Sequence, residues 1–109
     1  MPIRQTAHYE IRPEGVDLVK SAIVEFVDYV NRHEPGTRLY AAWQQADAPT
    51  KFVHLFIFED DAAHRAHGES DAVRRFESVY RPYLAEGPVD FTDYVEVAAN
   101  AQPLSGDEP

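Results

Sequence analysis

One apolar segment near the middle of the sequence constrains the fold more than any other. Alternate residues place Phe52, His54, Phe56 and Phe58 on one side and Val53, Leu55 and Ile57 on the other. Because successive strand residues point to opposite faces, almost every position on both faces carries an apolar side chain. The pattern predicts an interior strand that needs a protein layer on each face. In a chain of 109 residues, a second subunit can supply one of those layers.

The charge balance and the residue types exclude several functions. Ten Lys and Arg residues oppose 19 Asp and Glu residues, which gives a net charge of −9. This charge repels nucleic-acid phosphates and anionic lipids, so we expect no nucleic acid and no membrane as partner. The sequence lacks both a membrane-length apolar run and a secretory signal, which predicts a cytoplasmic protein. With zero cysteines, disulfides, thiolate metal ligands and a Cys nucleophile are excluded.

Hydrophobic periodicity predicts an alternation of strands and helices. Strands are expected over residues 3–12, 37–45, 52–58 and 89–98, and a helix over 14–32, which Pro35 and Gly36 end. A second helix should begin at Asp60 or Asp61, break at Gly68 and resume after Ser70, whose side chain can cap it. This order is the ferredoxin-like βαββαβ pattern, an α+β fold with both helices on one face of a four-stranded antiparallel sheet. We predict one domain over 1–99 and a disordered tail over 100–109.

A sheet with helices on one face leaves its other face bare. Either set of alternate residues in the central strand is too apolar to remain in water. A second sheet related by a two-fold axis would cover that face. We therefore predict a homodimer, in which two sheets form an α+β barrel.

Specific residues resemble a known family. They are Glu34-Pro35-Gly36-Thr37, the strand ending in Phe58-Glu59-Asp60, Ala63 and His67 with Ser70, the stretch from Tyr80 to Leu84, and Gly87-Pro88-Val89 with Tyr94. In order and spacing they are similar to the antibiotic biosynthesis monooxygenase domain. The resemblance implies a dimeric α+β barrel and, in the family's characterised enzymes, oxidation of phenols, quinols and polycyclic aromatics without flavin, haem or metal. We accordingly expect no cofactor.

The family also contains haem degraders, which use an Asn on the first strand, a Trp on the third and a His on the second helix. Here the first strand lacks the Asn, and Phe58 stands where the Trp is expected. His67 matches the third residue. The resemblance therefore disfavours haem degradation, while axial haem binding by His67 alone stays open.

Oxygenation without a cofactor requires a substrate that becomes an electron-rich anion, a dry pocket, a base and donors for the anion. His54 stands in an aromatic row, where desolvation should lower its pKa and leave it neutral, and His67 is the other candidate base. Trp43, Phe56 and Tyr83 are the candidate residues for binding a small aromatic substrate, and Tyr40 and Tyr80 could add walls and hydrogen bonds. A helical wheel with Ala63 and Ala66 inward puts His67 beside the inward face and His64 toward solvent.

Each candidate also has a structural interpretation. His54 can be a hydrogen-bonded core residue, His67 can bridge the helix break at Gly68, and the aromatic residues can be core or dimer contacts. His54, His64 and His67 could form a metal site, but they have no fixed ligand signature. Two functions therefore remain, a cofactor-independent monooxygenase and a non-catalytic dimeric module that binds a hydrophobic ligand or a partner.

Overall fold

The computed structural model describes residues 1–100, and its strands and helices follow the predicted order. The strands are β1 (Ile3–Glu10), β2 (Thr37–Gln45), β3 (Ala48–Phe58) and β4 (Asp90–Tyr94). The helices are α1 (Val16–His33), α2 (Asp61–Gly68) and α3 (Asp71–Tyr80). Short 3-10 turns span Pro13–Gly15 and Arg81–Tyr83. The predicted tail over 100–109 lies outside the described residues except for Asn100.

The strands of residues 1–100 form one antiparallel sheet in the order β2-β3-β1-β4. The helices pack on one face, which confirms the predicted ferredoxin-like fold. His54 pairs with Ala7 on β1 and with Ala42 on β2, so β3 is an interior strand, as predicted. We call the face that carries His54 the helix side and the face that carries Val53, Leu55 and Ile57 the open side.

Packing of α1 against the sheet follows from its apolar stripe. Val19, Ile23, Phe26 and Val30 recur at helical spacing and all four are buried. The stripe lies over the helix side of the sheet, where Tyr9 and Phe52 belong to the same core. Among residues 1–100, no helix is long and apolar enough to cross a membrane.

The predicted break between α2 and α3 is confirmed, and each helix has its own cap. The Asp60 carboxylate accepts a hydrogen bond from the backbone N–H of Ala63 at 2.9 Å, and the Ser70 hydroxyl accepts one from Val73 at 3.1 Å. These contacts satisfy backbone donors that the first turn of a helix leaves unpaired. Because α3 also ends in a 3-10 turn at Arg81, it is a short helix with an interruption at both ends.

Two strands are shorter than predicted. β1 ends at Glu10. The Ile11 N–H still donates to the Thr50 carbonyl of β3 at 2.8 Å, but Ile11 also bridges Leu84, and the Arg12 N–H donates to the Tyr83 carbonyl at 2.7 Å. β4 ends at Tyr94 instead of Ala98. The alternation from Val95 to Val97 continues in the sequence, but these side chains are 85% and 95% exposed, and only part of the expected strand pairs with β1.

Candidate functional site

His54 lies at the centre of the helix side and is 2% exposed. The Tyr9 hydroxyl lies 2.6 Å from its Nε2, and the Tyr40 hydroxyl lies 2.8 Å from its Nδ1. Strand register explains this arrangement: Tyr9 on β1 and Tyr40 on β2 flank β3 from either side, each one step along the helix side from the residue opposite His54. Both imidazole nitrogens are therefore occupied by phenol hydroxyls.

Burial sets the protonation state of this group. Desolvation lowers the pKa of His54 to about 4, so its imidazole is neutral near pH 7. Burial likewise raises the pKa of Tyr9 and of Tyr40 above the ordinary phenol value. All three groups are neutral, and His54 can accept a substrate proton only if one of the phenols first moves away.

His67, on the last turn of α2, has one nitrogen engaged and one available. Its Nδ1 lies 2.7 Å from Oε1 of Glu34, and its Nε2 makes no hydrogen bond within residues 1–100. Burial raises the pKa of the Glu34 carboxyl, but the hydrogen bonds from His67 and Thr37 outweigh burial and hold the pKa below its ordinary value. A charged carboxylate that accepts from Nδ1–H fixes the tautomer with its lone pair at Nε2.

The turn after α1 positions the carboxylate. The Thr37 hydroxyl donates to Oε1 of Glu34 at 2.8 Å, and the Gly36 carbonyl accepts from the Glu59 N–H at 2.7 Å. A side chain at Gly36 would place its Cβ 2.6 Å from the Cβ of Ala63. Glycine therefore permits α2 to pack against the start of β2 and brings Glu34 within reach of His67.

A cavity of about 70 Å³ connects the two histidines; we call it the central cavity. Its wall includes Tyr9, Tyr40, His54 and His67, together with residues of α1, α3 and the segment leading into β4. The ring centroid of Tyr40 lies 5.6 Å from that of His54 and 5.7 Å from that of His67, so the Tyr40 ring packs against both histidines. The cavity brings both predicted bases to one site.

The cavity wall is mainly aromatic and apolar, and it reaches the surface beside β4. Phe91, on β4, lines the cavity and is 58% exposed, and Glu77 of α3 lines it as well. Among the described residues that line the cavity, none is Lys or Arg. Its volume holds a few water molecules, whereas pockets for small organic ligands are typically about 300–1,000 Å³.

The three predicted substrate-binding residues lie outside the wall of the central cavity. Trp43 is on the open side, 59% exposed, and it lines a separate surface depression of about 520 Å³ with His8 and Lys51. Phe56 is buried on the helix side and stacks on the Tyr40 ring at 5.2 Å. Phe56 therefore supports the Tyr40 ring without lining the central cavity itself.

Tyr83 packs at the opposite end of α3 from Ser70. A side chain at Gly15 would place its Cβ 2.3 Å from the Tyr83 ring, so the ring rests on the backbone there. The Arg12 guanidinium lies 5.8 Å from the ring centroid. Tyr83 therefore holds the end of β1 against the segment after α3.

The orientation of α2 differs from the helical-wheel prediction. Ala66 is exposed, and His64 is half-buried with its ring 4.9 Å from that of Phe58. The inward face therefore runs through Ala63 and both histidines, of which only His67 lines the central cavity. Within residues 1–100, no group of three His, Cys, Asp or Glu residues is arranged to hold a metal ion.

Sequence reasoning missed Tyr9 and Glu34, and it named Tyr40 only as a possible source of cavity walls and hydrogen bonds. Tyr9 and Tyr40 have the same parity as His54 once the strands are in register, but that register was not part of the prediction. Glu34 was noted only as part of the segment Glu34-Pro35-Gly36-Thr37, which ends the first helix and resembles the family. The signal that could have identified Glu34 is an ionisable residue directly before a proline and a glycine, in a turn between a helix and a strand.

The structure is that of a ferredoxin-like α+β domain, with a cavity lined by aromatic residues and two histidines between its sheet and its helices. The sequence profile of one family, antibiotic biosynthesis monooxygenase, matches residues 2–78, which is most of the chain. The protein therefore belongs to the antibiotic biosynthesis monooxygenase family. A comparison with curated proteins found no match.

Solved structures with the same fold come from several bacteria. A candidate antibiotic biosynthesis monooxygenase from Bacteroides thetaiotaomicron is 17% identical, with a TM-score of 0.84 and coverage of 93% of this chain and 94% of the other. One from Nitrosomonas europaea is 21% identical, with a TM-score of 0.81 and coverage of 88% and 90%. A Mycobacterium tuberculosis protein is 19% identical, with a TM-score of 0.80 and coverage of 93% and 100%. At these identities the structures support the fold alone.

Proposed function

We propose that this protein is a cytoplasmic monooxygenase that uses dioxygen to oxidise a small aromatic metabolite of the phenol or quinol type without a cofactor. One observation carries the proposal. Nδ1 of His67 is bonded to the Glu34 carboxylate at 2.7 Å, while Nε2 has no partner within residues 1–100 on a side chain that lines the central cavity. A carboxylate-oriented imidazole of this kind can act as a general base.

In the proposed reaction, His67 takes the hydroxyl proton of the substrate at Nε2. The Glu34 carboxylate then stabilises the resulting imidazolium. The phenolate that remains is electron-rich enough to reduce dioxygen. One phenol and one dioxygen give one quinone and one water, so all the electrons come from the substrate and no external donor is needed.

The aromatic wall suits this chemistry. His67 has aromatic rings on several sides, with ring centroids 5.0 Å away at Phe58 and 5.7 Å away at Phe26. A dry environment excludes water from the reactive anion and strengthens its interaction with the imidazolium. Aromatic rings also give a planar substrate flat surfaces to stack on.

Substrate entry requires the central cavity to enlarge. Its volume of about 70 Å³ is too small for an aromatic ring with substituents. Phe91 is well placed to move because it lies at the exposed rim of the cavity. Helix α3 is well placed to move because a helix break precedes it and a 3-10 turn follows it. We propose that α3 and Phe91 shift outward when substrate binds.

A second candidate function is a non-catalytic dimeric module that binds a hydrophobic ligand or a partner. The observation that favours it is the saturation of His54 by two phenols together with the small cavity. In that function the polar residues serve to hold the core together, and the cavity accepts only a small apolar group.

Oxygen consumption separates the two functions. We expect chelator-treated protein to consume dioxygen steadily with at least one member of a panel of phenols and hydroquinones, with the quinone product identified by mass spectrometry. The control is His67→Gln, which should lose most of this activity. Binding of aromatic compounds without oxygen consumption across the panel would reject the enzyme and support the binding module.

We also propose that the active form is a homodimer joined through the open side. Leu55 and Ile57 are only partly covered there, and the neighbouring Trp43 is 59% exposed. The buried Nε of Arg4 and the hydroxyl of Thr6, on the same side, have no hydrogen-bond partner within residues 1–100. Light scattering after size exclusion should give twice the mass of 12.4 kDa. A single monomeric species at micromolar concentration would reject the dimer.

A further inference from the structure

The hydrogen bonds around His54 leave one phenol proton unused. A neutral imidazole carries one N–H and one lone pair, so it donates to one hydroxyl and accepts from the other. His54 contacts the Tyr9 hydroxyl at Nε2 and the Tyr40 hydroxyl at Nδ1. Whichever tyrosine accepts from the imidazole keeps its own O–H, and within residues 1–100 that O–H has no other acceptor. Both tyrosines line the central cavity.

Geometry favours Tyr40 as the tyrosine with the unused proton. The contact at Nε2 is the shorter one, 2.6 Å against 2.8 Å at Nδ1. The Tyr40 ring also lies against His67, with the ring centroids 5.7 Å apart. We therefore assign Nδ1–H as donor to Tyr40 and Tyr9 as donor to Nε2, which leaves the Tyr40 proton for the cavity beside His67.

The charges around the central cavity give this O–H a role. The titratable groups on its wall are Tyr9, Tyr40, His54, His67, Glu77 and Tyr80. Glu77 carries a negative charge, pairs with Arg81 at 3.4 Å and opposes any anion in the cavity. Because Lys and Arg are absent from the described wall, an anionic substrate oxygen must be stabilised by neutral donors and by protonated His67.

We propose that Tyr40 is the oxyanion donor of this site, and that His54 is a positioning residue that aims the Tyr40 hydroxyl at the ionising oxygen of a phenolic substrate. Tyr9 fixes the tautomer of His54, which in turn donates to Tyr40. Together, Tyr9, His54 and Tyr40 present an O–H donor to the substrate oxygen from which His67 removes a proton. This inference rests on the proposed function for the identity of the base, and it restricts the ligand to one with an ionisable hydroxyl.

A small fluorinated phenol tests this inference without turnover. Fluorine NMR of 4-fluorophenol reports both its binding and the ionisation of its hydroxyl. We expect the pKa of the bound phenol to lie below that of the free phenol. In Tyr40→Phe the bound phenol pKa should rise by about one to two units, the effect of losing one hydrogen bond to a charged oxygen. The matched control is Tyr29→Phe, because Tyr29 lies on α1 and does not line the cavity. It should leave the pKa of the bound phenol unchanged.

Nitrogen NMR of the imidazoles tests the assigned direction. His54 should carry its proton on Nδ1, and in Tyr9→Phe that preference should weaken while 4-fluorophenol still binds. A proton held on Nε2 in the wild-type protein would overturn the assignment to Tyr40. An unchanged phenol pKa in Tyr40→Phe, or no binding of 4-fluorophenol by folded wild-type protein, would overturn the proposal as a whole.

The outcomes separate this inference from the proposed function. If Tyr40 controls the pKa of the bound phenol but no phenol supports oxygen consumption, the oxyanion site stands and the monooxygenase proposal fails. If oxygen is consumed equally by wild type and Tyr40→Phe, with equal phenol pKa values, the monooxygenase proposal stands and the oxyanion site fails.

Discussion

The two histidines on the central cavity differ in both their partners and their supports. His54 sits on the interior strand β3, 2% exposed, and neutral phenols occupy both of its nitrogens. His67 sits on the last turn of α2, an eight-residue helix in which every residue is at least partly exposed, and a single carboxylate holds it. One histidine is fixed by the sheet, and the other is fixed by a hydrogen bond.

This difference indicates which histidine can exchange a proton. Protonating His54 would place a charge in the core with no anion bonded to it, and burial therefore lowers its pKa to about 4. Protonating His67 places a charge next to the Glu34 carboxyl. Burial raises the pKa of Glu34, but the hydrogen bonds from His67 and Thr37 outweigh burial and keep this pKa below its ordinary value. The strand histidine suits an orienting role, and the helix histidine suits proton transfer.

The largest expected effect comes from removing His67. His67→Ala should lower turnover per folded molecule by roughly 10²–10⁴-fold, the range typical of a lost general base. His64→Ala is the matched control on the same helix, because His64 contacts Phe58 but does not line the central cavity. It should cost a little thermal stability and leave turnover within about two-fold of wild type. Oxygen consumption and thermal unfolding of both variants check this.

If the hydrogen bond from His67 to Glu34 only holds α2 against the turn after α1, the effect should appear in stability instead of turnover. His67→Ala would then lower the melting temperature by a few degrees, in line with the loss of one hydrogen bond, and leave the rate per folded molecule unchanged. Equal turnover in His64→Ala, His67→Ala and wild type would remove His67 as the base.

A smaller loss should follow from neutralising Glu34. Glu34→Gln keeps the shape of the side chain but removes the charge that stabilises a protonated His67. A hydrogen bond to a charged group is worth about 1.5–3 kcal/mol, which corresponds to a loss of about 10–150-fold in turnover. The control is Glu14→Gln, at an exposed position in the turn before α1. Turnover of Glu34→Gln equal to that of wild type would show that His67 needs no carboxylate.

The sequence predicted the fold well because its signals are local and redundant. Alternation over β3, the stop at Pro35-Gly36 and the caps at Asp60 and Ser70 each determine one element from neighbouring residues. The ends of β1 and β4 were less accurate, since strand ends depend on what the chain pairs with. Ile11 bonds to Thr50 of β3 and also bridges Leu84, a partner far along the chain.

The site was harder to predict because its chemistry depends on contacts between distant residues. His54 and His67 were identified as candidates, yet Tyr9 lies 45 residues and Glu34 33 residues from their respective histidines. Trp43 and Tyr83 were chosen by residue type, and the parity of β2 and the packing at Gly15 place them elsewhere. Periodicity defines the face of an element but does not define which side chains meet across the core.

Stability at acid pH should report the environment of His54. Its folded-state pKa, about 4, is lower than its ordinary value of 6.5, so the stability linked to its neutral form is fully present above pH 6.5 and is lost as the pH falls toward 4. Between about pH 7 and pH 5, this one group should cost about 2 kcal/mol.

Urea unfolding of wild type, His54→Phe and the control His33→Gln at both pH values isolates this contribution. His54→Phe should be less stable at pH 7, because it leaves two phenols without their partner, but it should lose less stability on acidification. His33 is exposed and its replacement should reproduce the wild-type difference. Equal pH dependence in wild type and His54→Phe would mean that His54 titrates normally and that the contrast with His67 does not hold.

The smallest effect tests whether the two histidines depend on different supports. Asp60→Ala removes the cap of α2 and should lower the free energy of unfolding by about 1 kcal/mol, whereas Asp60→Asn retains a capping oxygen and should cost less. Because α2 is short and partly exposed along its whole length, the lost cap should speed amide hydrogen exchange in α2 while β3 amides still exchange only through global unfolding. Turnover should fall by less than about tenfold, since His67 remains bonded to Glu34 in most molecules. If Asp60→Ala instead speeds exchange in β3 beyond the change in global stability, then α2 and the strand that carries His54 open as one unit, and the two histidines are held by the same part of the fold.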